Sequence, residues 1–135
     1  MLSERAEDYL EAIYVVRMKK GYVRVKDLGF QLSVSCPSVI EMLKKLDEKR
    51  LIRYEKYGGI TLTPEGEEIA RVIKDRHDTL VRLLSIAGMP ADIADKDACV
   101  IEHHLSPKSL EQLKKLVAAL EGQRAQARQR KLSSS

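Results

Sequence analysis

Three side chains that can bind a metal lie close together in the second half of this 135-residue sequence. Cys99, Glu102 and His103 have the spacing i, i+3 and i+4, which on a helix puts a thiol, a carboxylate and an imidazole on one face. Oxygen and nitrogen donors suit Mn(II) and Fe(II), whereas a thiolate favours Fe(II), Co(II) or Zn(II). The pattern indicates a transition-metal site. His104 would point about 100° away from His103 and is expected beside the site or at the surface.

Three further donors could join this cluster. His77 follows Ile73 and precedes Leu80 in the apolar stripe of a long predicted helix, and Asp8 and Glu11 are three residues apart on the first predicted helix. If the first helix packs across the later ones, all six donors could converge. Each also has a plainer explanation, because isolated histidines are often hydrogen-bonded core residues and acidic pairs are usually solvated.

Apolar periodicity and turn residues predict the elements that carry these donors. The predicted helices and strands, in chain order, are helices over 3–20, 25–32 and from Ser35, strands over 51–55 and 60–62, and helices over 63–88, 91–105 and from 106 onward. Three helices followed by a two-stranded ribbon are typical of a winged helix-turn-helix. The predicted fold is mainly α, with a winged helix-turn-helix at 1–65, an all-helical metal-binding and dimerisation domain at 66–121, and a basic tail at 122–135 that extends the last helix or is disordered.

In a winged helix-turn-helix the third helix enters the major groove of DNA, and the wing contacts the backbone. Serine and glutamate on that helix could read base edges, while lysines would bind phosphates. The residues predicted to contact DNA are Arg24, Lys26, Ser35, Pro37, Ser38, Glu41, Lys44, Lys45, Lys56 and Tyr57. The alternative is a solvated helix face and hairpin, since winged helices also bind proteins. Cys36 is interpreted as a small residue at the start of the third helix.

Composition argues against several other classes of protein, including membrane-spanning and disulfide-rich ones. Hydrophobic residues make up 44% of the chain, which is enough for an ordinary core. The sequence shows no signal peptide and no apolar run of membrane-spanning length, and its two cysteines are too few for a disulfide framework. A cytoplasmic protein without a membrane partner is therefore expected. The net charge of +4 permits nucleic-acid binding but does not demand it.

Several motifs in order resemble the diphtheria-toxin-repressor family, and most of all its manganese-transport-regulator branch. These motifs are Glu7–Tyr14, Gly21–Val25, Pro37–Val39, Lys45–Asp47, Tyr54–Tyr57, Leu62–Gly66, Arg76–His77 and Ile101–Ser106. The resemblance implies a homodimer joined through the C-terminal helices, with each N-terminal unit reading half of a palindromic operator.

The resemblance also implies a ligand set. The manganese-type site matches Asp8, Glu11, His77, Glu102 and His103, with a carboxylate where this chain has Cys99. A cysteine there resembles the iron-responsive branch, which tends to have methionine at the position of Asp8. The chain is thus a hybrid of the two patterns, and loss of a carboxylate that can bridge two ions leaves the number of ions open.

These observations predict a non-enzymatic, metal-activated repressor of metal-uptake genes, with no small organic substrate. Mn(II) and Fe(II) are the expected physiological activators, and Co(II), Ni(II) or Zn(II) could act in vitro. Two other hypotheses remain at this point. One is a winged-helix regulator that senses a non-metal effector. The other is a metallohydrolase built on His77, Glu102 and His103.

Overall fold

A computed structural model describes residues 2–56 and 59–133 of the protein. It divides into two compact units, the first extending to Lys74 and the second beginning at Asp75. The elements are α1 (Glu4–Lys20), α2 (Val25–Leu32), α3 (Cys36–Glu48), β1 (Ile52–Glu55), β2 (Gly59–Leu62), α4 (Pro64–Ile86), α5 (Ala91–Ile101) and α6 (Pro107–Ser133). This order confirms the prediction of a mainly helical fold that begins with a winged helix-turn-helix.

Local chemistry fixes both ends of α1. The Ser3 hydroxyl accepts a hydrogen bond from the Ala6 N–H at 3.1 Å, which satisfies one of the unpaired amides of the first turn. The helix ends at Gly21, whose φ of 81° is a left-handed conformation that glycine adopts without a steric penalty. Between these ends the helix buries one apolar face, made of Ala6, Tyr9, Leu10, Ala12, Ile13 and Val16.

The core of the first unit lies between α1, α2, α3 and the ribbon. Strands β1 and β2 pair antiparallel, with Ile52 opposite Leu62 and Glu55 opposite Gly59. The buried side chains that complete this core include Leu28, Val39, Leu43, Leu46, Leu51, Ile52 and Ile60. The third helix is thereby held by one apolar face, and its polar face is left at the surface of the unit.

Helix α4 begins at a tight junction with the ribbon. The Thr63 hydroxyl accepts a hydrogen bond from the Gly66 N–H at 3.2 Å and donates one to the Arg50 carbonyl at 2.8 Å. A Cβ atom on Gly66 would lie 1.9 Å from the backbone oxygen of Leu51, so only glycine fits. Thr63 therefore caps α4, and the close approach to Leu51 explains why position 66 is a glycine.

The second unit contains the end of α4 together with α5 and α6. Lys114 on α6 donates a hydrogen bond to Asp75 on α4 at 2.6 Å, and Arg82 on α4 pairs with Glu121 on α6. Within the described range α6 continues through Gly122 to Ser133, which agrees with a tail that extends the helix. None of the described helices is both long and apolar enough to cross a membrane.

The predicted end of α5 was wrong. Helix α5 was expected over 91–105, but it ends at Ile101, and 102–104 form a turn. The His104 N–H bonds to the Ile101 carbonyl three residues earlier, which tightens the last turn. Pro107 then starts α6, and a proline disfavours helical backbone in the residue before it. Glu102 nevertheless keeps helical torsion angles (φ −56°, ψ −31°), so its side chain still follows the face of Cys99.

Candidate metal centre and DNA-binding surface

Three of the predicted metal ligands meet in the second unit. His77, on α4, is buried, and its Nδ1 atom lies 3.0 Å from Oε2 of Glu102 and 3.7 Å from Sγ of Cys99. The donor atoms of these three residues all lie within 4.8 Å of one another. Metal–ligand bonds of about 2.0–2.3 Å place two donors on one ion no more than roughly 4.6 Å apart. Small side-chain movements would therefore let the three donors share an ion.

The Glu102 carboxylate has capacity for a further ligand. Its side chain is only 1% exposed, and its Oε1 atom accepts no hydrogen bond from any residue that the structure describes. The Nε2 atom of His103 lies 3.7 Å from this oxygen, too far for a hydrogen bond. A buried carboxylate oxygen without a donor is costly, and a cation is one group that would stabilise it. The residues present therefore fit a divalent ion.

The donor set describes the kind of ion that would bind. Glu102 offers carboxylate oxygens, His77 and His103 offer imidazole nitrogens, and Cys99 offers a sulfur. Mixed oxygen and nitrogen donors accept Mn(II) and Fe(II), and the sulfur adds affinity for softer ions such as Zn(II). Cys99 is an exposed residue of α5, and its sulfur lies 3.7 Å from Nδ1 of His77.

The two carboxylates on α1 belong to the first unit. Asp8 and Glu11 are both half-buried, and their three-residue spacing puts them on one face of the helix. Their role as metal ligands stays a prediction from the sequence. His104, by contrast, is exposed, in accordance with the expectation that it points away from His103.

One carboxylate beside His77 was not predicted from the sequence. Oδ1 of Asp95 lies 2.8 Å from Nε2 of His77, on the opposite side of the imidazole from Glu102. Asp95 precedes Cys99 by four residues, so the two share one face of α5. The spacing of Asp95 and Cys99 can be read from the sequence. A role for Asp95 follows only from the position of His77, which the sequence does not give.

The predicted base-reading residues lie at the start of α3. The Ser35 hydroxyl caps the helix by accepting a hydrogen bond from the Ser38 N–H at 3.4 Å, and it also donates one to the Ser38 hydroxyl at 3.0 Å. Pro37 occupies the first turn, where the missing N–H costs nothing. Ser35, Pro37 and Glu41 are exposed, and Ser38 is half-buried. The helix start therefore presents short polar groups to solvent, as base contacts require.

The basic side chains predicted to contact phosphates lie at the surface of the first unit. Arg24, Lys26, Lys44, Lys45 and Lys56 are all exposed. Lys45 is 3.9 Å from Glu41 one turn earlier, an exposed pair that a phosphate could replace at little cost. Tyr57, the last residue predicted to contact DNA, lies outside the described residues.

The start of α2 fixes the Arg24 backbone. Asp27 accepts hydrogen bonds from the Arg24 N–H at 3.0 Å and from the Lys20 ammonium at 2.8 Å. The hydrogen bond from Lys20 holds the pKa of the Asp27 carboxyl below its ordinary value. The Arg24 guanidinium lies over the ring of Tyr22, 5.0 Å from its centre, a contact that was not predicted from the sequence. Arg24 is thus an oriented cation beside the wing.

The fold and the clustered donors define a winged-helix protein with a candidate metal site in a separate helical unit. Two family profiles match the chain: "Iron dependent repressor, N-terminal DNA binding domain" over residues 1–60, and "Iron dependent repressor, metal binding and dimerisation domain" over residues 63–124. The chain belongs to the iron-dependent repressor family of metal-dependent transcriptional regulators, and the family resemblance found in the sequence is confirmed.

Curated relatives agree with this assignment. The chain is 41% identical over 115 residues to the HTH-type transcriptional regulator MntR of Lysinibacillus sphaericus, covering 85% of this chain and 83% of that protein. It is 39% identical over 121 residues to MntR of Bacillus subtilis, covering 90% and 85%.

Solved structures share the fold. T. acidophilum IdeR aligns with a TM-score of 0.75 at 28% identity, covering 87% of this chain and 55% of that one. The manganese regulator SloR aligns with a TM-score of 0.73 at 32% identity, covering 84% and 53%. The chain thus spans about half the length of these solved proteins.

Proposed function

We propose that this protein is a homodimeric repressor that binds palindromic operator DNA when Mn(II) or Fe(II) occupies its metal centre. The genes under its control encode metal uptake, and it acts in the cytoplasm. The observation that supports this most is the buried contact between His77 and Glu102 beside Cys99, with one Glu102 oxygen lacking a donor among the described residues. A metal-binding cluster and an exposed recognition helix in one chain are the two parts that such a regulator needs.

The proposed ligands are drawn from both units. His77, Cys99, Glu102 and His103 belong to the second unit, and Asp8 and Glu11 are the ligands proposed on the first. When bound, the ion supplies positive charge that offsets these carboxylates and the thiolate. The ion can raise DNA affinity only if the conformation that binds DNA also binds the ion more tightly than the conformation that does not bind DNA. A coupling of about 1–3 kcal/mol would give about 5–150-fold in operator affinity.

Mn(II) and Fe(II) are the proposed physiological activators, while Co(II), Ni(II) and Zn(II) could replace them in vitro. The curated relatives carry the name MntR, and one solved neighbour is described as a manganese-dependent transcriptional repressor complex with manganese. Cys99 shifts the donor set towards softer ions. Zn(II) tends to bind most sites more tightly than either activator, so availability in the cell decides which ion is used.

DNA recognition is assigned to the start of α3 and the surrounding cations. Ser35, Ser38 and Glu41 are the proposed base contacts, and Pro37 is the other residue of this helix start that is proposed to contact DNA. The proposed phosphate contacts are Arg24, Lys26, Lys44, Lys45, Lys56 and Tyr57. Base contacts would select the operator, and phosphate contacts would supply salt-dependent affinity.

The experiment is selection of genomic DNA fragments by the purified protein, with Mn(II), with Fe(II) under anaerobic conditions, and with chelator. The proposal predicts metal-dependent enrichment of palindromes upstream of metal-transport genes. A Glu102→Gln variant should lose that enrichment, whereas a Glu48→Gln variant, which removes an exposed charge from α3, should keep it. Equal enrichment with metal and with chelator would contradict the proposal, and enrichment restored by a small organic molecule would favour the effector-sensing alternative.

A further inference from the structure

Both ring nitrogens of His77 face a carboxylate. Nδ1 lies 3.0 Å from Oε2 of Glu102, and Nε2 lies 2.8 Å from Oδ1 of Asp95. The two acidic side chains differ in environment, since Glu102 is 1% exposed and Asp95 is 65% exposed. The buried side of the ring therefore faces the candidate metal ligands, and the other side faces a carboxylate in contact with solvent.

The geometry of the imidazole ring means that Nδ1 and Nε2 of His77 must have different partners. Its two nitrogen lone pairs point in nearly opposite directions, so one ion cannot be bound through both. Glu102 and Cys99 both lie on the Nδ1 side, at 3.0 and 3.7 Å. An ion shared with them would be bound through Nδ1, which leaves Nε2 protonated and able to donate to Asp95.

We propose that Asp95 is a positioning residue that accepts the Nε2–H of His77 and so directs Nδ1 to the metal. This inference rests on the proposed metal site and adds to it a residue outside the predicted ligand set. Metal-bound histidines commonly donate their second N–H to a carboxylate, which fixes the orientation of the ring and raises its basicity as a ligand. Asp95 can do this from α5 itself, because it lies one turn before Cys99.

This arrangement also bears on the unusual thiol. Cys99 stands where the resemblance predicts a carboxylate, so a sulfur replaces an oxygen donor next to His77. Asp95 has its carboxylate on the far side of the ring. It therefore contributes negative charge near His77 without adding an oxygen ligand on the Nδ1 side.

The first test is nitrogen NMR of isotope-labelled, Zn(II)-loaded protein, which identifies the protonated ring nitrogen of His77. The proposal predicts a proton on Nε2 and a metal bond at Nδ1. In Asp95→Ala the ring loses its acceptor, and a second population with the proton on Nδ1 should appear. A proton on Nδ1 in the wild-type protein would overturn the assignment, as would an unchanged His77 spectrum in Asp95→Ala.

Metal affinity gives a second readout. Competition with a chelator should show Asp95→Ala binding Zn(II) about 10-fold or more weakly, with a smaller loss in Asp95→Asn because the amide oxygen still accepts the hydrogen bond. Asp97→Ala removes the same charge from the same helix and should bind as the wild-type protein does. Equal losses of Zn(II) affinity in Asp95→Ala and Asp97→Ala would show that the effect comes from net charge. That result would contradict the proposal that Asp95 positions His77. A wild-type protein that binds no Zn(II) would instead contradict the metal site itself.

Discussion

His77 and Glu102, which are 25 positions apart in the sequence, lie in contact, with Nδ1 3.0 Å from Oε2. Both side chains are buried, and the second oxygen of Glu102 has no donor among the described residues. A buried carboxylate in this state is a poor contributor to stability but a good ligand. The proposed metal-dependent function therefore depends first on this contact between His77 and Glu102.

Cys99 should set the choice of metal. Replacing it with glutamate exchanges a soft thiolate for a hard carboxylate, so the affinity for Mn(II) should rise relative to that for Zn(II). Anaerobic competition titrations with both ions measure this ratio. Cys36→Ser is the matched control, because Cys36 is the second free and exposed thiol and lies on α3. A Cys99→Glu ratio equal to that of the control would show that the sulfur does not contact the ion.

Lys44 should bind a DNA phosphate. Its removal in Lys44→Gln should weaken binding to all sequences alike and reduce the salt dependence of log K by about 0.9 per lost contact, or about twice that in a dimer. Fluorescence anisotropy over a range of salt concentrations measures the slope. Lys19→Gln removes the same charge from an exposed position on α1 and should leave the slope unchanged. If Lys44→Gln lost sequence discrimination but kept the same salt dependence, Lys44 would contact a base and not a phosphate.

Asp27 should stabilise the first unit in a pH-dependent way. Because the Lys20 hydrogen bond lowers the pKa of Asp27 in the folded protein, the ionised form contributes stability above the ordinary pKa. That contribution is lost as the pH falls through the lowered pKa, below about pH 4. Asp27→Asn should cost about 1 kcal/mol near neutral pH, and urea unfolding should show the difference shrinking in acid. Glu48→Gln should cost nearly nothing, and a pH-independent loss in Asp27→Asn would contradict the ion-pair explanation.

Two glycine-to-alanine variants should have opposite effects. In Gly66→Ala the new Cβ meets the Leu51 backbone oxygen at 1.9 Å, so we expect a loss of about 3 kcal/mol or more in the free energy of unfolding. In Gly122→Ala the new Cβ meets nothing within 4 Å, and the helix should gain about 0.5–1 kcal/mol. Thermal unfolding of both variants measures these changes. A tolerated Gly66→Ala would show that the Leu51 backbone can move away from α4 at little cost.

The sequence predicted the elements of this protein well, and it predicted only part of the cluster of donors around His77. Apolar spacing and turn residues act within a few residues, so the boundaries of α1 and the start of α4 could be derived. The end of α5 could not, because a tightened last turn at His104 has no strong sequence signal. The role of Asp95 depends on where α4 places His77, which is a matter of tertiary packing that periodicity does not report.

The most direct measurement is the affinity of the chelator-stripped protein for a selected operator, by anaerobic fluorescence anisotropy with Mn(II), Fe(II) and Zn(II) added separately. The account predicts that at least one of these ions raises affinity about 5-fold or more, and that Glu102→Gln removes the increase without changing metal-free binding. If affinity is the same with and without every ion, the donors around His77 are structural and the metal-activated account is contradicted.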